Sequence, residues 1–265
     1  MAVVTLLSDF GLRDPYVAEM KAVILSISPE AQLVDVTHEI EKFNIRMGAF
    51  VLASAAPYFP PKTVHVAVVD PGVGTKRRSI IVETKRGFYV GPDNGLLMLA
   101  SHKEKIIKVY HIVNTKCMLS KISKTFHGRD IFAPAAAYLA SGISPSEFGP
   151  AVQDYIFPEF AKPKAGKGEV VGAVLHIDGF GNVVSNLAEQ DLQKAGFREG
   201  GSLSVMLGGK HLVLRFCSAY GEVPSGTALV LVGGSGFLEV AVNQGSASRM
   251  LGTKVGDSFR VSEVA

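Results

Sequence analysis

The chain has 265 residues, of which 47% are hydrophobic and 19% charged, so it carries enough apolar material for a core and is no disordered tail. Its 27 Lys and Arg against 24 Asp and Glu leave a formal charge of +3, with no long basic run and hence no electrostatic case for nucleic acid. Cys117 and Cys217 are its two cysteines. They make neither a disulfide framework nor a zinc pattern, which fits a reducing, cytoplasmic compartment. The first residues lack the basic region of a signal peptide, and no apolar run reaches the ~18 residues of a membrane span.

In chain order, Val3 to Leu7 reads as a buried strand. Asp14-Pro15 reads as a helix cap followed by Pro at the first helical position, and Val17, Met20, Val23, Ile24 and Ile27 continue with helical period until Pro29. Gln32 to Val36 is a predicted strand and Asn44 to Tyr58 a helix. Val64 to Val69 is a strand entering the turn Asp70-Pro71-Gly72-Val73-Gly74. Ser79 to Glu83 and Gly87 to Val90 read as a strand pair, Asn94 to Ser101 as a helix, Ile106 to Ile112 as a strand and Asp130 to Ser141 as a helix. Strands alternating with helices imply an α/β domain, residues 1–162, with a mostly parallel sheet flanked by helices.

Lys162 to Gly168 then reads as a linker. Beyond it the expected strands are Val170 to Ile177, Gly181 to Asn186, Leu203 to Leu207, Leu212 to Phe216, Ala228 to Val232, Phe237 to Val242 and Ser258 to Val261, with a helix at Glu189 to Ala195. Short strands with glycine-rich turns predict a small barrel or sandwich over residues 168–265.

The common catalytic motifs are missing. There is no dinucleotide fingerprint, phosphate loop or serine elbow, and no histidine pair at metal spacing. What remains are polar residues at strand ends, where open parallel sheets bind ligands. Asp9 and Asp70 each follow a predicted strand. A carboxylate there either accepts both hydrogen bonds of a vicinal diol such as ribose or caps a helix or turn. Phe126-His127-Gly128-Arg129-Asp130 sets polar groups before an apolar helix, as a pocket rim or as a capping acid beside a surface histidine. Asp178-Gly179-Phe180-Gly181-Asn182 places an acid, an aromatic and an amide between two strands. Phe180 suits stacking on a purine and Asn182 its hydrogen-bonding edge, and a hairpin turn explains the glycines equally well. Gly233-Gly234-Ser235-Gly236 and Asn243-Gln244-Gly245-Ser246-Ala247 are small polar loops open to the same two readings.

Together these blocks resemble one family. Leu7-Ser8-Asp9-Phe10-Gly11, Val69-Asp70-Pro71-Gly72-Val73-Gly74-Thr75 with Arg77-Arg78, Pro92-Asp93-Asn94-Gly95-Leu96-Leu97, Phe126 to Pro134, Asp178 to Asn182 and Asn243 to Ala247 resemble the S-adenosyl-L-methionine hydrolases, relatives of the fluorinase and chlorinase. The resemblance implies an N-terminal α/β domain, a C-terminal β-barrel domain and a homotrimer with sites between subunits. It implies no cofactor and no metal, with S-adenosyl-L-methionine as the small-molecule substrate. Carried over by position, Asp9 holds the ribose hydroxyls and Asp14 lies near the methionine part. Phe43 reaches the ribose from an adjacent subunit. Phe180, Asn182 and the loop from Asn243 to Ala247 surround the adenine, and Tyr220 lies near sugar and base. Asp178 and Ser235 bind the methionine amino and carboxylate groups. Asp70, Arg77 and His127 form the catalytic set, although spacing alone does not separate Arg77 from Arg78.

The implied reaction is attack of water on the ribose C5′, releasing methionine. A halogenase on the same fold is one alternative. The fluorinase has Tyr where this chain has Asp70 and Ser where it has Gly128, and a fixed carboxylate repels halide but suits water. A non-catalytic adenosine-binding protein is the other, and retention of Asp70, Arg77 and His127 together favours the enzyme.

Overall fold

The computed structural model describes residues 2–264, and the chain divides into two compact units between Pro158 and Glu159. Among the described residues, the first unit is built on seven strands: β1 (Val3–Ser8), β2 (Gln32–Thr37), β3 (Val64–Val68), β4 (Ser79–Thr84), β5 (Phe88–Pro92), β6 (Ile106–His111) and β7 (Ala151–Val152). They lie in the order β2-β1-β3-β5-β4-β6-β7. Strands β2, β1, β3 and β5 are mutually parallel. Antiparallel pairing of β4 with β5 and β6, and of β6 with β7, leaves β4 and β7 running against the rest.

Helices α1 (Tyr16–Ile27) and α4 (Ala133–Ala140) pack on each other, as do α2 (Ile45–Ala55) and α3 (Met98–Lys103). Successive strand residues point to opposite faces. Val4 and Leu6 enter the core shared with Met20, Ile24 and Phe132, whereas Leu7 and Val69 meet Gly48 of α2. The sheet is covered on both sides, which is why β1 and β3 read as unbroken apolar runs.

Several expected boundaries move for local reasons. Pro15, not Asp14, occupies the cap position of α1, and no side chain caps it. Asn44 caps α2, its side chain accepting the Met47 N–H at 2.9 Å. Asn94 makes a turn, donating to the Val69 carbonyl at 2.8 Å and accepting from Leu96 N–H, so α3 starts only at Met98. The helix expected from Asp130 opens as a π-helical turn, Gly128–Phe132, ahead of α4.

Among the described residues, the second unit holds β8 (Lys164–Gly166), β9 (Glu169–Ile177), β10 (Val183–Ala188), β11 (Ser202–Leu207), β12 (Lys210–Arg215), β13 (Ala228–Val232), β14 (Phe237–Val242) and β15 (Ser258–Glu263). They form one antiparallel sheet, β12-β11-β15-β9-β10-β14-β13, with β8 on β9. Phe216 bridges to Val230, and the Cys217 N–H donates to the Val230 carbonyl at 2.9 Å. These contacts join the sheet's two ends and nearly close it into a barrel filled by residues such as Val205, Leu238, Val240 and Phe259. The segment expected as a linker thus carries β8. Helix α5 (Glu189–Ala195) sits where its pattern placed it, and α6 (Ala247–Leu251) occupies part of an expected loop. No helix among the described residues is long and apolar enough to cross a membrane.

Strand β5 approaches β3 so closely that a Cβ on Gly91 would lie 2.4 Å from the Ala67 carbonyl oxygen. Gly91→Ala therefore must push the two strands apart, at a cost of about 1–3 kcal/mol. A thermal melt should show a lowered midpoint, and an unchanged midpoint would contradict this packing.

Candidate active site

Strands β1 and β3 are parallel neighbours, with Ser8 beside Val68. Their carboxyl ends therefore set Asp9 and Asp70 side by side, the expected ligand edge of such a sheet. A pocket of about 380 Å³ opens there, lined by Asp9, Asp14, Phe43, Asp70 and His127. Phe10, Tyr16 and Phe126 supply an aromatic wall, packed edge-on with ring centroids 5.2–5.7 Å apart.

Asp9 is only 6% exposed. Its Oδ2 accepts the Phe43 N–H at 2.8 Å, and its carbonyl accepts from the Lys42 ammonium. Phe43 itself has φ of 65°, a strained backbone for a bulky residue. That strain is held by the Asp9 bond, and the ring is 68% exposed.

Arg77 is saturated. Its Nε lies 3.0 Å from both oxygens of Asp70, and Nη2 bonds Asp70 Oδ2 as well. The same Nη2 lies 2.8 Å from His127 Nδ1, while Nη1 donates to Ser79 Oγ at 2.9 Å. A guanidinium can only donate, so His127 Nδ1 accepts and the ring is neutral in this arrangement. Burial, then the Arg77 charge, lowers the His127 pKa, against opposing pulls from Asp70 and Asp130. Arg78 turns elsewhere: it pairs with Asp93 and Asp154. The geometry thus joins Arg77, not Arg78, to Asp70 and His127.

The second unit has its own pocket, about 850 Å³, lined by Asp178, Phe180, Asn182, Tyr220 and Asn243. Asp178 organises its loop: Oδ1 accepts the N–H groups of Phe180 and Asn182, and Oδ2 accepts the Asn182 amide, each at 2.9 Å. One hydrogen of the Asn182 amide is thus committed to Asp178, which fixes the orientation of its carbonyl oxygen in the pocket lining. Phe180 is 83% exposed. Tyr220 donates to Glu239 Oε1 at 2.7 Å, and burial raises the Glu239 pKa although the Tyr220 bond works against it.

Two residues named from the resemblance do not line this pocket. Ser235 sits in the β13–β14 turn, and Ala247 is the fully buried first residue of α6. Sequence reasoning missed Lys42 and Tyr16 in the first pocket, and Arg249 in the second. Glu239 was also missed, since a lone acid in an apolar strand has no motif around it. No group of three or more His, Cys, Asp or Glu among the described residues is placed to hold a metal.

The first unit sets carboxylates at its strand ends beside an aromatic wall, and the second carries its own pocket with an exposed ring and an amide, each of them a small-molecule site in kind. The chain belongs to the SAM hydroxide adenosyltransferase family. Residues 4–149 match the model of that family's N-terminal domain and residues 172–260 that of its C-terminal domain. A Thermus thermophilus protein named (R)-S-adenosyl-L-methionine hydrolase is 40% identical, the match covering 98% of this chain and all of the relative. A fluorinase from Actinoplanes sp. is 29% identical, over 98% of this chain and 97% of its own. The crystal structure of an uncharacterized conserved protein from Thermotoga maritima superposes with a TM-score of 0.87 at 38% identity, over 98% of this chain and all of the other.

Titration of the imidazole signals by NMR should place the His127 pKa below 6.5, the ordinary histidine value. Arg77→Ala should bring it up, because the repelling charge is removed while Asp70 remains. A native value at or above 6.5 would contradict the acceptor role of Nδ1.

Proposed function

We propose that this protein hydrolyses S-adenosyl-L-methionine to adenosine and L-methionine, by in-line attack of water on the ribose C5′. The observation that carries the reading is Asp70 and His127 on the pocket wall, joined to each other through Arg77. A sulfonium leaves as a neutral thioether, so the leaving side needs no general acid. All the help is required on the attacking side, because water is a poor nucleophile.

Asp70 orients the water and takes up its proton as the new C–O bond forms and the C–S bond breaks. Arg77, held from three sides, fixes the Asp70 carboxylate in place and its charge favours the hydroxide-like character of the attacking water. His127 stays neutral and holds Arg77 in line. Asp9 accepts the ribose hydroxyls, with Oδ2 shared with Phe43 N–H. Phe180 stacks on adenine, and the Asn182 carbonyl accepts from its exocyclic amine. Tyr220 and Asn243 border the nucleoside, and Asp14 faces the methionine part. Asp178 serves through the loop it orders. The roles of Ser235 and Ala247 rest on the resemblance alone.

The protein works without a metal or cofactor, in the cytoplasm, as a homotrimer. Neighbouring subunits complete each site, Phe43 supplying its exposed ring to the ribose of the next subunit. Halogenation is disfavoured by the Asp70 carboxylate, which repels an incoming halide.

In ¹⁸O-labelled water, with no added metal, the label should appear in the adenosine 5′-hydroxyl, read by mass spectrometry. Unlabelled adenosine, or 5′-halo-adenosine formed faster than adenosine in chloride or fluoride, would overturn the reading.

A further inference from the structure

Behind the first pocket lies a buried relay that the proposed reaction does not use. Ser8 Oγ is 2.7 Å from His38 Nδ1, and His38 Nε2 is 3.1 Å from Asp35 Oδ1. Asp35 Oδ2 in turn accepts from the Lys21 ammonium at 2.6 Å. Ser8 and His38 are 1% and 3% exposed. A β-bulge makes this possible: the β1–β2 register slips between the pairs Leu6–Asp35 and Leu7–Thr37. The slip turns the end of β2 so that Asp35 and His38 meet, a typical use of bulges beside sites.

Asp35 can only accept, so His38 donates from Nε2, and its Nδ1 shares the second hydrogen bond with the Ser8 hydroxyl. The connectivity is that of a serine nucleophile with its base and orienting acid. Access rules that use out, because Ser8 is buried and its oxygen already accepts the Phe10 N–H at 3.2 Å. Two loops that line the first pocket meet here. The Gly11 N–H donates to the His38 carbonyl at 2.8 Å, and the Ile40 N–H to the Ser8 carbonyl at 3.4 Å. Asp9 lies on the first loop and Phe43 on the second, joined by the Asp9–Phe43 bond.

We propose that His38 is a positioning residue: through Ser8 it locks the Ser8–Gly11 turn to the 38–43 loop and so sets the Asp9 carboxylate for a vicinal diol. This rests on the proposed reading that the pocket takes a nucleoside. A supporting shell of this kind fixes the geometry of a polar contact without touching the ligand.

The test is the affinity ratio of adenosine to 2′-deoxyadenosine, by calorimetry, in the native protein and in His38→Ala, Ser8→Ala and Asp35→Asn. A hydrogen bond to a carboxylate makes the native ratio roughly 10- to 100-fold. Misplacing Asp9 should collapse the ratio toward unity in His38→Ala and Ser8→Ala, and lower it in Asp35→Asn. A merely structural role weakens both nucleosides equally and leaves the ratio intact, which would overturn the proposal. Asp35 is 37% exposed at the relay's outer end, so Asp35→Asn decides the matter should His38→Ala fail to fold. Labelling of Ser8 by a fluorophosphonate would also overturn it. If the native protein binds adenosine in neither form, the nucleoside reading itself falls. If it binds with an unchanged ratio in every variant, only the role of His38 falls.

Discussion

Arg77 is hydrogen-bonded on three sides, by Asp70, His127 and Ser79, and it lies 5.3 Å above the Phe132 ring. These partners come from the turn after β3, the start of β4 and the π-helical turn before α4. A single guanidinium therefore ties the connection between β3 and β4 to a turn 50 residues further along the chain. Its side chain is 10% exposed and that of Asp70 6%. In so dry a place neither charge is tolerable alone, and removing one partner of such a pair typically costs about 3–5 kcal/mol. The pairing is thus a condition of the local fold as well as of the chemistry.

The same constraint assigns the protons. Because Arg77 only donates, His127 Nδ1 accepts and the ring is neutral in this arrangement, which in the proposed reaction leaves Asp70 to receive the proton of the attacking water. A flexible lysine or an unpaired carboxylate would do neither with fixed geometry. The two pockets also differ in chemistry. The first pocket carries charge and strain, in Asp9, Asp70 and the left-handed Phe43. The second offers an exposed ring and an amide oxygen, suited to a planar, weakly polar group.

Much of this was readable in the sequence, and what was not has physical causes. The strands β1 and β3 were clear because a sheet covered on both faces needs continuous apolar runs, and the acids at their ends followed directly. Arg77 and Arg78 could not be separated, since adjacent residues at a strand entrance point to opposite sides and only the fold tells which side holds Asp70. Asp14 looked like a helix cap, yet the chain begins α1 one residue later and that carboxylate faces the pocket. Helix α6 is five residues long and β8 three, too short to show a period. The Ser8–His38–Asp35 relay was invisible because the bulge that joins its members leaves no mark in residue spacing. Ser235 and Ala247 came from the resemblance, and neither lines the second pocket.

The fork of Arg77 is tested most directly by Arg77→Lys. Lysine keeps the charge but cannot span both Asp70 oxygens and His127 in one plane. Turnover of S-adenosyl-L-methionine should fall by about 10²-fold or more, a loss of the size seen when one preorganised charge-stabilising donor is removed, while adenosine affinity by calorimetry changes little. Native turnover in Arg77→Lys would show that a bare positive charge suffices and would contradict the account.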